Sequence, residues 1–254
     1  MKKTAIFIFL FLISITAYSQ RFVGSAILGM NATQVDGDEV FGFQKFGVNG
    51  GVSAMLALNS KQTWFATIEL LYTQKGAYRR ALVDSMYHQT PDNIDHRYPY
   101  DPKIKYRLRM DYVEIPVIFH YEDPKSGFAF GAGVSWGRLV RVNELENGWH
   151  LTTNLRSGTY KNSDWSVLAD VKIRLWKGLK LNFRYQYSFI PVRTRIFTDK
   201  VHGQTWERKQ YHNTLTLRLI YSFNEKYKLN SRTNKKGERV GVRWVRDTES
   251  TTYR

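Results

Sequence analysis

From residue 21 onward, polar and apolar residues alternate with a period of two, the mark of β-strands whose faces meet different surroundings. The clearest run is 164–175, where Trp165, Val167, Ala169, Val171, Ile173 and Leu175 share one face. Its other face carries Ser166, Leu168, Asp170, Lys172 and Arg174. The pattern repeats in 179–189 and in 214–223, and more weakly in 21–31, 46–58, 64–74, 108–121 and 128–139. Eight strands follow, each about as long as the ~9–11 residues that a tilted strand needs to cross a bilayer. No segment of the mature chain shows a convincing helical period.

The connections alternate in length. Links at 59–63, 122–127 and 176–178 are short, whereas 32–45, 75–107, 140–163 and 191–210 are long. Long loops at one end and short turns at the other are the arrangement of an outer-membrane barrel with its termini in the periplasm. The fold expected is therefore all-β, an eight-stranded antiparallel transmembrane barrel over residues 20–223.

Period two does not say which face points out. A soluble barrel holding a small apolar ligand would put the apolar face inward. Three features favour apolar-out. Aromatic residues gather at strand ends: Trp64, Tyr121, Phe128 and Phe223 toward the short links, and Tyr72, Trp136, Trp165 and Tyr187 toward the long ones. Paired girdles of this kind mark where a lipid-facing band meets water. The second face of 128–139 is Ala129, Gly131, Gly133, Ser135 and Gly137, small residues that leave room inside a narrow lumen. The polar faces also carry both signs of charge in modest number, as a paired interior would.

Composition sharpens this picture. The 254 residues include no cysteine, which excludes disulfides, thiolate metal sites and a lipid-anchored Cys. Mean hydropathy of -0.44 excludes a helical membrane bundle. Lys2 and Lys3, the apolar stretch 5–15 and Ala17-Tyr18-Ser19 before Gln20 form a secretory signal over 1–19. Its removal takes the net charge from +16 to +14. The export address and the spread of that charge argue against nucleic acid as a partner. Residues 224–254 hold nine basic and four acidic side chains. A strand this basic is unsuited to a lipid face, so the segment reads as a solvated periplasmic arm with a short strand at 240–245. Such an arm attracts acidic proteins or anionic head groups.

Several segments resemble a known family. Asn31-Ala32-Thr33-Gln34-Val35-Asp36-Gly37-Asp38, followed by Gly42-Phe43-Gln44-Lys45-Phe46-Gly47 and Gly50, looks like the opening of the PorT-family outer-membrane barrels of Bacteroidota. Glu69-Leu70-Leu71-Tyr72-Thr73-Gln74-Lys75-Gly76 and Tyr112-Val113-Glu114-Ile115-Pro116 are similar to that family's third and fourth strands. The resemblance covers most of 21–223 and implies an eight-stranded outer-membrane barrel. It further implies a structural or adaptor role, in the founding member support of a type IX secretion and gliding apparatus. The basic tail departs from the family's usual ending.

Candidate chemistry is sparse. Glu69, Glu114, Asp170, Lys172, Arg174, Arg184 and Arg218 share the lumen side and are expected to form a ladder of buried ion pairs. Gly133-Val134-Ser135-Trp136-Gly137 matches a hydrolase nucleophile pattern, but that pattern functions only on a sharp strand-to-helix turn. His120 and Glu114 share one polar face, three alternate positions apart. The other histidines, at 88, 96, 150, 202 and 212, fall mainly in loops and lack metal spacing. Asp36-Gly37-Asp38-Glu39 reads as a polar turn rather than a calcium loop. Arg79, Arg80, Lys103, Lys105, Arg107, Arg193, Arg195 and Lys200 line the outer rim, within reach of lipopolysaccharide phosphates. The expectation is a non-enzymatic barrel without cofactor or metal. Its partners are outer-membrane lipid and lipopolysaccharide, and a periplasmic or secretion-complex protein at the tail. The alternatives are a soluble barrel for an apolar ligand and a lipid-modifying membrane enzyme.

Overall fold

The computed structural model describes residues 22–37, 42–59, 61–79, 105–146, 149–151, 155–198, 205–233 and 239–247. The signal segment, His88, His96, His202, Arg80, Lys103 and Lys200 lie outside the described residues. In chain order the strands are β1 (Phe22–Asp36), β2 (Lys45–Ala57), β3 (Trp64–Arg79), β4 (Tyr106–Glu122), β5 (Phe128–Glu146), β6 (Trp149–His150) and β7 (Ser163–Trp176). Then come β8 (Leu179–Ser188), β9 (Arg193–Thr198), β10 (Thr205–Ser222), β11 (Tyr227–Thr233) and β12 (Arg239–Arg246).

Eight of them, β1 to β5, β7, β8 and β10, pair antiparallel with their sequence neighbours, and β10 returns to β1. That closing seam runs from Ser25 opposite Ser222 to Asp36 opposite Tyr211. Closure leaves no strand edge of the wall unpaired, which a hydrocarbon environment demands because it offers backbone groups no water. The short turns are built by local side chains. Asn59 accepts from the Thr63 and Trp64 amides at 2.9 and 3.1 Å, and Asp123 from those of Lys125 and Ser126 at 3.0 and 2.9 Å. Gly127 takes the left-handed backbone that ends the second turn.

The apolar faces point outward. Leu28 is 69% exposed, Phe130 59% and Leu217 54%, while Glu69 and Arg218 on the opposite face are at most 2% exposed. A soluble carrier of apolar ligands requires the reverse orientation. The girdle residues all sit on the outer wall: Trp64 packs edge-on to Tyr121 at 5.2 Å, and Tyr187 stacks on Tyr211 at 6.3 Å.

The strands are longer than their lipid-facing runs. Residues 32–36, 75–79, 106–107, 140–146 and 205–210, read from sequence as loop, continue the wall. The reason shows in β4. Its outer positions Val113, Ile115, Val117, Phe119 and Tyr121 are apolar, but higher up they become Arg107 and Arg109. Inward, Glu114 and His120 give way to Tyr106, Leu108 and Met110, all buried in one apolar cluster with Val35, Ala77, Leu139 and Tyr160. Apolar side chains thus change sides where the outside changes from lipid to water. The inversion places the outer bilayer boundary near Val113, which pairs with Tyr72 on β3 and Arg138 on β5.

Within the tail, β11 and β12 form an antiparallel hairpin, β12 containing the short strand expected at 240–245, and Arg246 is not solvated but buried at the periplasmic mouth. Its guanidinium donates to Glu122 of β4 at 2.9 Å and to Glu225 at 2.6 Å, and lies 4.7 Å from the centre of the Phe65 ring. Burial works against that charge, but Glu225 and then Glu122 hold the guanidinium above its ordinary value. The wall itself is complete before the hairpin begins. Truncation after Phe223 is therefore expected to leave insertion and heat-dependent gel mobility intact. Failure of the shortened chain to insert would make the hairpin part of the barrel's folding unit.

Candidate functional site in the barrel lumen

Charged and polar side chains fill the lumen in four tiers. Nearest the periplasm, Glu122 accepts from Arg174 at 2.5 Å as well as from Arg246, and Lys180 bridges toward Glu225 at 3.0 Å. The Arg246 member of this tier comes from the tail, which no period in the sequence had linked to the wall.

The second tier lies deeper within the membrane-spanning wall. Arg184 donates to both Glu69 oxygens at 2.9 and 3.0 Å and to Asp170 at 2.8 Å. Arg218 donates to the same Glu69 oxygens at 2.9 and 3.1 Å and to Asn182 at 2.6 Å. One carboxylate thus holds two guanidinium forks, the geometry in which charge-assisted bonds are strongest. His120 Nε2 lies 3.0 Å from Asp170, and its Nδ1 3.2 Å from the Thr67 hydroxyl. Lys172 is buried one inward position below Asp170 on β7. Gly131 makes this tier fit: a Cβ there would come within 2.2 Å of the His120 ring and 2.8 Å of Asp170.

The third tier centres on Lys75, which pairs with Glu114 at 2.5 Å and Asp164 at 2.9 Å. Ser188 donates to Asp164 at 2.6 Å, and Gln186 to Ser166 at 2.6 Å. Lys75 Nζ also lies 5.4 Å from the centre of the Tyr112 ring, whose hydroxyl is 3.1 Å from His212 Nε2. The fourth tier stands above the bilayer. Glu144 accepts from Tyr106 at 2.5 Å, Tyr160 at 2.6 Å and Arg193 at 3.1 Å, and Arg193 also donates to Gln210 at 2.8 Å. Burial pushes the Tyr106 phenol well above its ordinary value; Arg193 opposes that shift and Glu144 adds to it.

The seven residues singled out from sequence all lie on the lumen side, but not in one ladder. Glu69, Asp170, Arg184 and Arg218 meet, Glu114 belongs to Lys75, and Arg174 belongs to the periplasmic mouth. One expectation is corrected: Arg193 is no rim cation, since it turns inward onto Glu144. His212, just past the expected loop 191–210, stands in β10 and is aimed into the lumen. Lys75, Asp164, Tyr112 and His212 were missed because their segments read as loop or their partners lay far away in sequence. Ser135 sits inside β5 with its side chain buried, not on a strand-to-helix turn. Thr67, His120 and Asp170 line up as hydroxyl, imidazole and carboxylate, but the chain is walled in by Arg184, Gly131 and their neighbours. Among the described residues no group of three or more His, Asp or Glu is placed to hold a metal ion.

A closed eight-strand ring with an apolar exterior, a polar filled interior and unequal ends defines an outer-membrane barrel. Residues 19–193, well over half of the chain, match the family model described as outer membrane protein beta-barrel domain, and the chain belongs to that family. It is an outer-membrane protein. Similar solved structures include Neisserial surface protein A, 12% identical over 80% of this chain and 97% of that one, with a TM-score of 0.45. Ail, the attachment invasion locus protein of Yersinia pestis, is 12% identical over 79% of this chain and 98% of its own, with a TM-score of 0.43. OprG from Pseudomonas aeruginosa is 9% identical over 80% and 94%, with a TM-score of 0.38. No curated protein matches the chain.

Proposed function

We propose that this protein is a non-conducting, non-enzymatic outer-membrane barrel with a structural or adaptor role. The observation that carries the reading is the lumen, blocked by ion pairs and hydrogen bonds from Arg246 at the periplasmic mouth to Glu144 above the bilayer. An interior of eight strands has room for little beyond its own side chains. In planar bilayers the wild-type protein is expected to give no stepwise conductance, and neither Arg184→Ala nor Arg218→Ala to open one. A large, ion-selective wild-type current altered by either substitution would overturn the reading.

The finer assignment, support of a type IX secretion or gliding complex, rests on the PorT resemblance and on the basic hairpin presented at the periplasmic side. A partner there would meet β11 and β12. Co-purification from native membranes, with cross-linking lost on truncation after Phe223, tests it. Export through cleavage before Gln20 and contact with outer-membrane lipid and lipopolysaccharide belong to the same reading.

A further inference from the structure

On the outer wall, β4, β5 and β7 form a groove of about 450 Å³ lined by Ile115, Val117, Val134, Trp136 and Trp165. Its shape follows from register. Val117 pairs with Val134, two short side chains, whereas Trp136 lies between Ile115 on β4 and Trp165 on β7. The two tryptophans form a tall rim at the extracellular end of a shallow trough that runs down toward the bilayer centre.

The residue above Trp136 on the same face is Arg138. It is exposed and lies opposite Val113, the level at which the wall's polarity inverts. Just beyond it, a register shift opposite Asp111 and Tyr112 leaves Val140 and Arg141 as consecutive exposed residues, so a second guanidinium joins the outer face. The neighbouring carboxylate, Asp111, is buried and committed to Arg109 by bonds of 2.8 and 3.0 Å. Among the described residues no carboxylate pairs with Arg138 or Arg141. An apolar trough at hydrocarbon depth with two unpaired cations at head-group depth is complementary to one chemistry. That chemistry is an acyl chain joined to a phosphorylated head group, and guanidinium forks suit phosphate well.

We propose that this groove is a binding site for a phosphorylated, acylated lipid of the outer leaflet. One acyl chain lies along Val117 and Val134 against the Trp136–Trp165 rim, and a head-group phosphate sits on Arg138 and Arg141. The site depends on the outward apolar face, and not on whether the lumen conducts or the hairpin has a partner.

The test uses the full-length mature protein in detergent, with retention of lipid A and of enzymatically dephosphorylated lipid A read by native mass spectrometry. Wild-type protein is expected to retain one lipid A and at least tenfold less of the dephosphorylated form. The double variant Arg138→Gln, Arg141→Gln should lose that preference, while Arg107→Gln, which removes one such charge higher on the wall, should keep it. Val134→Trp, which fills the trough, should reduce retention of both lipids while heat-dependent gel mobility stays wild type. Equal retention of both lipids by the wild type would overturn the proposal, as would unchanged retention in the double variant or a loss with Arg107→Gln as large as that of the double variant. Should Val134→Trp fail to fold, the arginine pair and its control decide the matter alone.

Discussion

Glu69→Ala is expected to lower the unfolding free energy of the barrel by about 3–5 kcal/mol, the usual cost of stripping one partner from a buried ion pair. Among the described residues no other lumen carboxylate holds two guanidinium forks on both of its oxygens. Its removal leaves Arg184 and Arg218 facing each other, with only Asp170 in reach at 2.8 and 3.7 Å. Asp170 carries a single negative charge, so it cannot neutralise both. Urea titration of protein refolded into lipid vesicles, followed by loss of the folded band on unheated gels, measures the effect. A change below about 1 kcal/mol would mean that water reaches the cluster and screens it.

Leu217→Arg is expected to cost about 2–4 kcal/mol, or to abolish insertion, because it places a charge near the bilayer midplane. Leu217 stands on the outer face between Met30 of β1 and Phe183 of β8, all at the level of the Glu69 cluster's Arg184 and Arg218. On a water-facing wall the same exposed leucine would accept arginine with a change within about 0.5 kcal/mol. Insertion yield into vesicles and the same urea titration separate the two outcomes.

The transmembrane wall was legible in the sequence because hydrocarbon imposes one rule on every strand. Leucine and phenylalanine must alternate with residues that fit inside, and runs such as 164–175 show nothing else. Above Val113 that rule lapses. In β4 the arginines turn outward and Tyr106, Leu108 and Met110 turn inward, so the alternation survives with its meaning reversed and reads as loop. The third and fourth lumen tiers were hidden for this reason. Lys75 and His212 belonged to strand extensions that the lipid-facing pattern did not include. The docking of Arg246 was hidden differently. A net charge of +5 over 224–254 describes the tail as a whole, and one arginine that finds Glu122 across 124 residues leaves no periodic trace. Small residues gave a signal that did carry over to packing, since the space left at Gly131 is filled by His120 and Asp170.

The absence of cysteine allows single spin labels to be placed at will. Labels walked along β10 from residue 214 to 221 in lipid vesicles, with collision rates for oxygen and for a water-soluble nickel chelate, report both the membrane-facing wall and the filled lumen. A strict period of two is expected. Labels at 215, 217, 219 and 221 should meet oxygen in the bilayer, and those at 214, 216, 218 and 220 should meet neither reagent because the lumen is filled. Nickel contact at the even positions would contradict the plugged barrel, and nickel contact at the odd ones would contradict its place in the membrane.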